Sequence, residues 1–167
     1  MKRLLLVMSV ILFSAVLSAP FATSVVASPS EQSLRESLVN GNTAFAVQAY
    51  RQLGATEGNL FFSPFSVSSA LGMTYAGAFG NTAKEMKEAL YFQLDQTKLH
   101  PAFKSLNKEL VATAQKSGQK LNIANALVLT GGNVSDEFKT ILKDNYGAEI
   151  FPGNLSTING WVNKKTE

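Results

Sequence analysis

Ser63-Pro64-Phe65-Ser66-Val67-Ser68-Ser69-Ala70-Leu71-Gly72-Met73-Thr74-Tyr75-Ala76-Gly77-Ala78-Phe79 contains no charged side chain. Its pattern predicts a helix. Ser63 supplies a cap oxygen, and Pro64 fits the first turn, where its missing N–H costs nothing. Val67, Ala70, Leu71, Thr74, Tyr75 and Ala78 recur at helical spacing and are expected to face inward. Ser68, Ser69, Gly72 and Gly77 fall on the opposite side, which is small rather than charged. A helix with no charged face belongs to an interior. Segment 63–79 therefore needs walls on more than one side.

Upstream, Ala46, Ala49, Tyr50 and Leu53 repeat at helical spacing, predicting a helix from Asn42 to Leu53 that Gly54 ends. Residues 28–41 begin polar and then gain Leu34, Leu38 and Val39, an N-terminal segment ahead of the folded part. Gly58-Asn59 is turn chemistry, and Leu60-Phe61-Phe62 reads as a short buried strand. Downstream, Gly80-Asn81 breaks the chain, and Thr82 with Glu85 forms a capping box for a short amphipathic helix through Met86 and Leu90. Leu99, Phe103, Leu106 and Leu110 predict a surface helix over 99–116, stopped by Ser117-Gly118.

Residues 121–129 read as a strand. Leu121, Ile123, Leu127 and Leu129 take one face, and Ala124, Ala126 and Val128 the other, so both faces are expected to be covered. Gly131-Gly132 turns the chain. Ser135-Asp136 caps a helix carrying Phe138, Ile141, Leu142 and Tyr146 inward, with Gly147 as its C-cap. Glu149-Ile150-Phe151 is a brief strand. A last helix runs from Asn154, with Ile158, Trp161 and Val162 on one side. No internal repeat is visible.

Lys2-Arg3, the apolar run Leu4 to Leu17 and the small residues Val25-Val26-Ala27 form an export signal, with cleavage expected after Ala27 and Ala19 as second choice. The run is shorter than the roughly 20 residues of a spanning helix, which weighs against an uncleaved anchor. The expected mature protein thus makes no membrane contact, and is secreted, or periplasmic in a bacterium. The organisation is a signal peptide at 1–27, the segment 28–41 and a folded part at 42–167.

The 167-residue chain is 46% hydrophobic and 16% charged, a foldable globular composition. Its formal charge of +3 falls to 3 − 2 = +1 without Lys2 and Arg3, which gives no ground for a nucleic-acid partner. The absence of cysteine excludes disulfides, a thiolate nucleophile and a cysteine zinc site. His100, the single histidine, lacks a nucleophile and an orienting acid in its pattern and reads as a surface residue near a helix start. Asp95, Asp136, Glu137 and Glu149 have no metal-ligand spacing. Gly72 and Gly77 lack the Lys-Ser/Thr of a phosphate loop and are better read as close helix packing. Asn133-Val134-Ser135 and Asn154-Leu155-Ser156 are formal glycosylation sequons whose residues are also good helix caps. No catalytic residue, metal or cofactor is expected.

A charge-free helix and a two-sided strand need enclosing partners, yet the other strands are scraps of a few residues. Their unpaired N–H and C=O groups leave sheet edges open. The chain is therefore expected to be an incomplete domain.

Asn59-Leu60-Phe61-Phe62-Ser63-Pro64-Phe65-Ser66-Val67-Ser68-Ser69-Ala70-Leu71-Gly72-Met73 resembles the serpin signature around the second helix, and Gly77-Ala78-Phe79-Gly80-Asn81-Thr82 its continuation. Ala124-Asn125-Ala126-Leu127 is similar to the serpin strand that begins Ala-Asn. Val134 to Gly147, and then Ile158-Asn159-Gly160-Trp161-Val162-Asn163-Lys164-Lys165-Thr166, match in order and spacing. The resemblance spans Asn42 to Glu167. Val128 departs from it, standing where the family usually has an aromatic.

The resemblance implies an α+β fold, of which this chain supplies the N-terminal helical part and a few strands. It stops before the central strands of the large sheet and before the reactive loop. It implies a serine-type endopeptidase inhibitor rather than an enzyme. Serpins offer a loop as bait to serine, sometimes cysteine, proteases, and the cleaved loop inserts as a new strand, carrying the acyl-linked protease with it. Such proteases would be partners of the full-length protein, and the truncated chain alone is expected to be inactive. By the same resemblance Asn59, Ser63, Pro64, Ser66 and Asn125 fall at the gate where central strands separate. Gly77 and Thr82 map near the adjoining helix junction. Trp161 sits on a helix that lies across the sheet and yields during insertion. Taken singly, Ser63 is a helix cap and Trp161 a core anchor. A non-inhibitory binding or chaperone-like relative is the alternative; an unrelated exported hydrolase is disfavoured by the lone His100 and the absent cysteine.

Overall fold

The structure is a computed structural model that describes residues 30–55 and 57–166, so the expected signal peptide at 1–27 lies outside the described residues. The elements run α1 (Glu31–Leu53), α2 (Pro64–Tyr75), α3 (Gly80–Ala89), α4 (Gln96–Lys116), β1 (Ala126–Leu129), α5 (Asp136–Tyr146), β2 (Glu149–Pro152) and α6 (Leu155–Lys165). β1 and β2 pair in parallel, with Ala126 opposite Glu149 and Leu129 opposite Pro152. Parallel strands need a crossover, and α5 provides it.

α1 begins at Glu31, capped by Ser30, whose Oγ accepts from the Ser33 N–H at 3.2 Å. The sequence placed its start at Asn42 instead. The extension exists because Leu34 and Leu38 continue the buried face against the core, with Leu38 almost fully enclosed. Gly41 hides this continuity, since glycine disfavours helix interiors by about 1 kcal/mol. Here it admits the carbonyl of Tyr91, which a Cβ at position 41 would strike. Arg35 then fastens α1 to α4. Its Nε lies 2.6 Å from Glu109 Oε2, and its Nη1 donates to Ser105 Oγ at 3.0 Å, while Ser105 donates to Glu31.

α3 starts at Gly80, not at Thr82, and Phe79 in the capping position makes no side-chain cap bond. The Thr82–Glu85 box does not form; Asn81 Nδ2 donates to Glu85 Oε1 at 2.8 Å instead. α4 starts at Gln96, capped by Asp95, whose Oδ1 accepts from the Lys98 N–H at 3.1 Å. Leu99, Phe103 and Leu106 are buried as the spacing requires. α5 is capped by Ser135 and closed by Gly147 at φ 62°, and α6 is capped by Asn154, both as expected.

Of two expected strands, one does not form among the described residues and the other is shortened to its second half. Leu60-Phe61-Phe62 has no strand partner, and Phe61 is 98% exposed. Residues 121–125 precede the only paired stretch of the expected 121–129 strand, and Leu121 is exposed. β1 itself is half-buried along its length rather than covered on both faces. A strand requires a neighbour for its ladder; Leu60-Phe61-Phe62 has none among the described residues, and 121–125 meets β2 only at Asn125, whose carbonyl accepts from the Glu149 N–H.

The core lies between α1, α2, α4 and α5. Phe103, Leu99 and Leu142 are its most enclosed large side chains. Phe92 meets Phe103 edge-on at 6.0 Å and 83°, Tyr75 packs on Phe92 at 5.6 Å, and Phe103 meets Tyr146 at 5.2 Å. Such pairs add about 0.5–1.5 kcal/mol each beyond area burial. The close approach at Gly41 gives a direct check. Gly41→Ala gains about 1 kcal/mol of helix propensity but forces a methyl onto rigid backbone, costing up to about 3 kcal/mol. Urea unfolding should show a net loss of about 2 kcal/mol.

Candidate functional site

α2 carries no charge, and its buried face differs from the expected one. Ser68, Ser69, Gly72 and Met73 are buried, together with Tyr75, Ala76 and Ala78. Val67 and Leu71 are exposed, as are Ala70 and Thr74. Only Tyr75 and Ala78 of the expected inward stripe face the core. The cause is close packing. A Cβ on Gly72 would stand 3.0 Å from Tyr146 Oη and 3.1 Å from the Phe103 ring. Ser68 Oγ donates to Asn42 Oδ1 of α1 at 2.6 Å. Small residues let three helices converge here, and Val67 and Leu71 are left outside.

A cleft of about 1090 Å³ opens beside α2, bounded by α1, α4, residues 121–126 and α6. Its wall gathers Ser63, Pro64, Ser66, Asn125 and Trp161. Ser63 Oγ accepts from the Ser66 N–H at 3.3 Å and from the Ser66 hydroxyl at 2.9 Å. Pro64 is the first residue of α2. Asn125 Nδ2 donates to the Tyr146 carbonyl at 2.8 Å, and the Glu149 N–H donates to the Asn125 carbonyl at 3.0 Å. The half-buried Trp161 ring packs on Phe151 at 5.9 Å and 45°. Lys165 Nζ pairs with Glu149 at 2.6 Å, and this bond holds the Glu149 carboxyl below its usual range.

Asn59, Gly77 and Thr82 lie elsewhere. Asn59 is exposed in the loop before α2. Gly77 follows α2, where a Cβ would meet the Phe138 ring at 3.1 Å. Thr82 is exposed on α3. The sequence reading missed two cleft residues, Asn42 and Ser69. Asn42, where the spacing starts the first helix, lies inside α1, and its Nδ2 is buried without a partner, as is Ser69 Oγ. Asn42 follows Leu38 by one helical turn, a spacing that marks the buried face once α1 is extended.

His100, expected at the surface, is 4% exposed, and its Nδ1 lies 2.7 Å from Tyr146 Oη. Burial lowers its pKa to about 4 and raises that of Tyr146. The sequence hid this because Pro101 made the position look like a helix start, whereas α4 begins at Gln96. Among the described residues, no group of three His, Cys, Asp or Glu side chains is placed to hold a metal ion. No described helix is long and apolar enough to cross a membrane.

Residues 40–167 match the family model described as serpin (serine protease inhibitor), and the chain belongs to the serpin family. It is 34% identical over 143 residues to leukocyte elastase inhibitor A of Rattus norvegicus, covering 79% of this chain and 37% of the relative. An uncharacterised serpin-like protein of Thermococcus kodakarensis is 36% identical over 138 residues, covering 77% of this chain and 32% of the relative. The crystal structure of cleaved kallistatin complexed with heparin aligns with TM-score 0.65 at 25% identity, covering 79% of this chain and 42% of that one. The architecture is thus a partial serpin fold of the α+β class, its N-terminal part. The chain spans 37% of the length of the rat relative.

Two substitutions separate the buried face from the open one. Ser68→Ala leaves Asn42 Oδ1 buried without its donor and should cost about 1–3 kcal/mol. Phe61→Ser touches an exposed ring and should shift stability by no more than about 0.5 kcal/mol. Paired urea titrations measure both.

Proposed function

We propose that the chain is the N-terminal part of an exported serpin whose full-length form inhibits serine proteases by loop insertion. The carrying observation is the cleft. Residues far apart in sequence, Ser63, Pro64, Ser66, Asn125 and Trp161, line one apolar opening between helices. In this reading Asn59, Ser63, Pro64, Ser66 and Asn125 form the gate. Their hydroxyl and amide groups can exchange hydrogen bonds with strand backbone as a sheet opens. Gly77 and Thr82 belong to the adjoining helix junction. α6, packed through Trp161 on Phe151, is the element that gives way.

The exposed Val67 and Leu71 on α2 support this reading, because an apolar face beside a cleft is suited to receiving sheet strands. Inhibition is assigned to a protein of the relatives' length; among the described residues no segment is proposed as bait loop, and no enzymatic activity is proposed. Export rests on Lys2-Arg3, the apolar run and Ala27. No observation favours the non-inhibitory alternative.

The test is expression with its leader in a secreting host, followed by incubation with trypsin-like, chymotrypsin-like and subtilisin-like proteases. The secreted chain should begin near Ser28 and give no protease complex stable to boiling in detergent. Secreted material beginning at Met1 would contradict the leader. A stable complex would show that this chain carries its own bait loop.

A further inference from the structure

We propose that His100 is a proton-controlled latch on the segment that carries Asn125. Tyr146 links the two. Its hydroxyl meets His100 Nδ1 at 2.7 Å, and its carbonyl accepts from Asn125 Nδ2 at 2.8 Å. Asn125 in turn accepts from the Glu149 N–H at 3.0 Å, the bond that begins the pairing of β2 with the chain before β1. Tyr146 is the last residue of α5, and Gly147 turns the chain directly into β2. One side chain therefore holds the α5 terminus from one side and the Asn125 segment holds it from the other.

The environment of the histidine makes the latch sensitive to acid. Its Nε2 is buried without a partner. α2 presents Tyr75, with ring centroids 6.3 Å apart, and carries no charged residue. α5 presents Tyr146 at 5.7 Å, while Lys143 and Asp144 are exposed. On α4 itself, Lys104 one turn away is exposed, and Asp95 stands at the cap. Among the described residues no carboxylate bonds to the ring. A second proton makes both ring nitrogens donors and charges the ring in an apolar pocket, where Nε2 has no acceptor and no carboxylate answers the charge. The imidazolium is then favoured in water, outside the pocket, and leaving strips Tyr146 Oη of its partner. The folded pKa is lowered, to about 4 from 6.5. The latch is accordingly fully closed above about pH 6.5 and weakens as pH falls toward 4.

The proposal rests on the reading of Asn125 as a gate residue only for its consequence, since the coupling can be measured without any protease. Amide hydrogen exchange of the whole chain is compared at pH 7.5 and pH 5, corrected for intrinsic exchange chemistry. Segments 121–130 and 144–152 should lose protection by about 30-fold at pH 5, while α1 keeps its protection. His100→Asn retains a polar atom near Nδ1 without titrating and should abolish the difference. The proposal is overturned by no loss in the parent chain, by an equal loss in the variant, or by an equal loss in α1. If the variant does not fold, the single histidine ring is titrated by NMR in the parent chain. Protection must then decline as pH falls from about 6.5 and level off below that ring's midpoint, and protection that stays flat down to the midpoint overturns the latch. A protease-competent complex or a failed gate reading leaves this exchange result unaffected.

Discussion

Everything in this structure depends on how closely α2 approaches its neighbours. Gly72 lies beneath the Phe103 ring and the Tyr146 hydroxyl, where a Cβ would stand only 3.0–3.1 Å from both and press them back. Ser68, fully buried, ties α2 to α1 through Asn42. These contacts bring α1, α4 and α5 around one side of α2 and let the aromatic cluster of Tyr75, Phe92, Phe103 and Tyr146 close. A larger residue at either position would hold the helices apart, because packed interiors do not yield by a methyl without cost.

The same packing explains what stays open. With its small face turned inward, α2 exposes Val67 and Leu71, and the cleft beside them is walled by α1, α4, α6 and residues 121–126. Segments that the sequence marks as strands, 60–62 and 121–125, remain irregular at the edge of this opening. Hydrophobic composition alone does not make a strand; a hydrogen-bonded neighbour does. Only where β2 is available does the second segment become β1. The α+β class of the serpin family is recognisable here from its helices, one parallel pair and an unfilled face.

Much of the fold was legible in the sequence. α5, β2 and α6 were read nearly to the residue because Ser135, Gly147 and Asn154 mark their ends by local chemistry. The core face of α4 was legible from Leu99, Phe103 and Leu106. Errors arose where tertiary contacts overrule local signals. Gly41 looked like a boundary but serves a backbone approach from Tyr91. His100 looked superficial beside Pro101 yet is buried against Tyr146. The faces of α2 were assigned by hydrophobicity, whereas distance of approach decided them. Of the residues singled out by resemblance, Ser63, Pro64, Ser66, Asn125 and Trp161 come together at the cleft. Asn59, Gly77 and Thr82 do not line it. Asn42 and Ser69 were missed because polar residues on a buried helix face carry no periodic signal of their own.

The orientation of α2 is the central claim, and a single comparison of unfolding free energies tests it. Gly72→Val should cost about 3 kcal/mol or more by wedging Phe103 and Tyr146 apart, with Leu71→Ser staying within about 1 kcal/mol of the parent. The reverse order, a tolerated valine and a damaging serine, would place the large apolar residues inside and contradict the account.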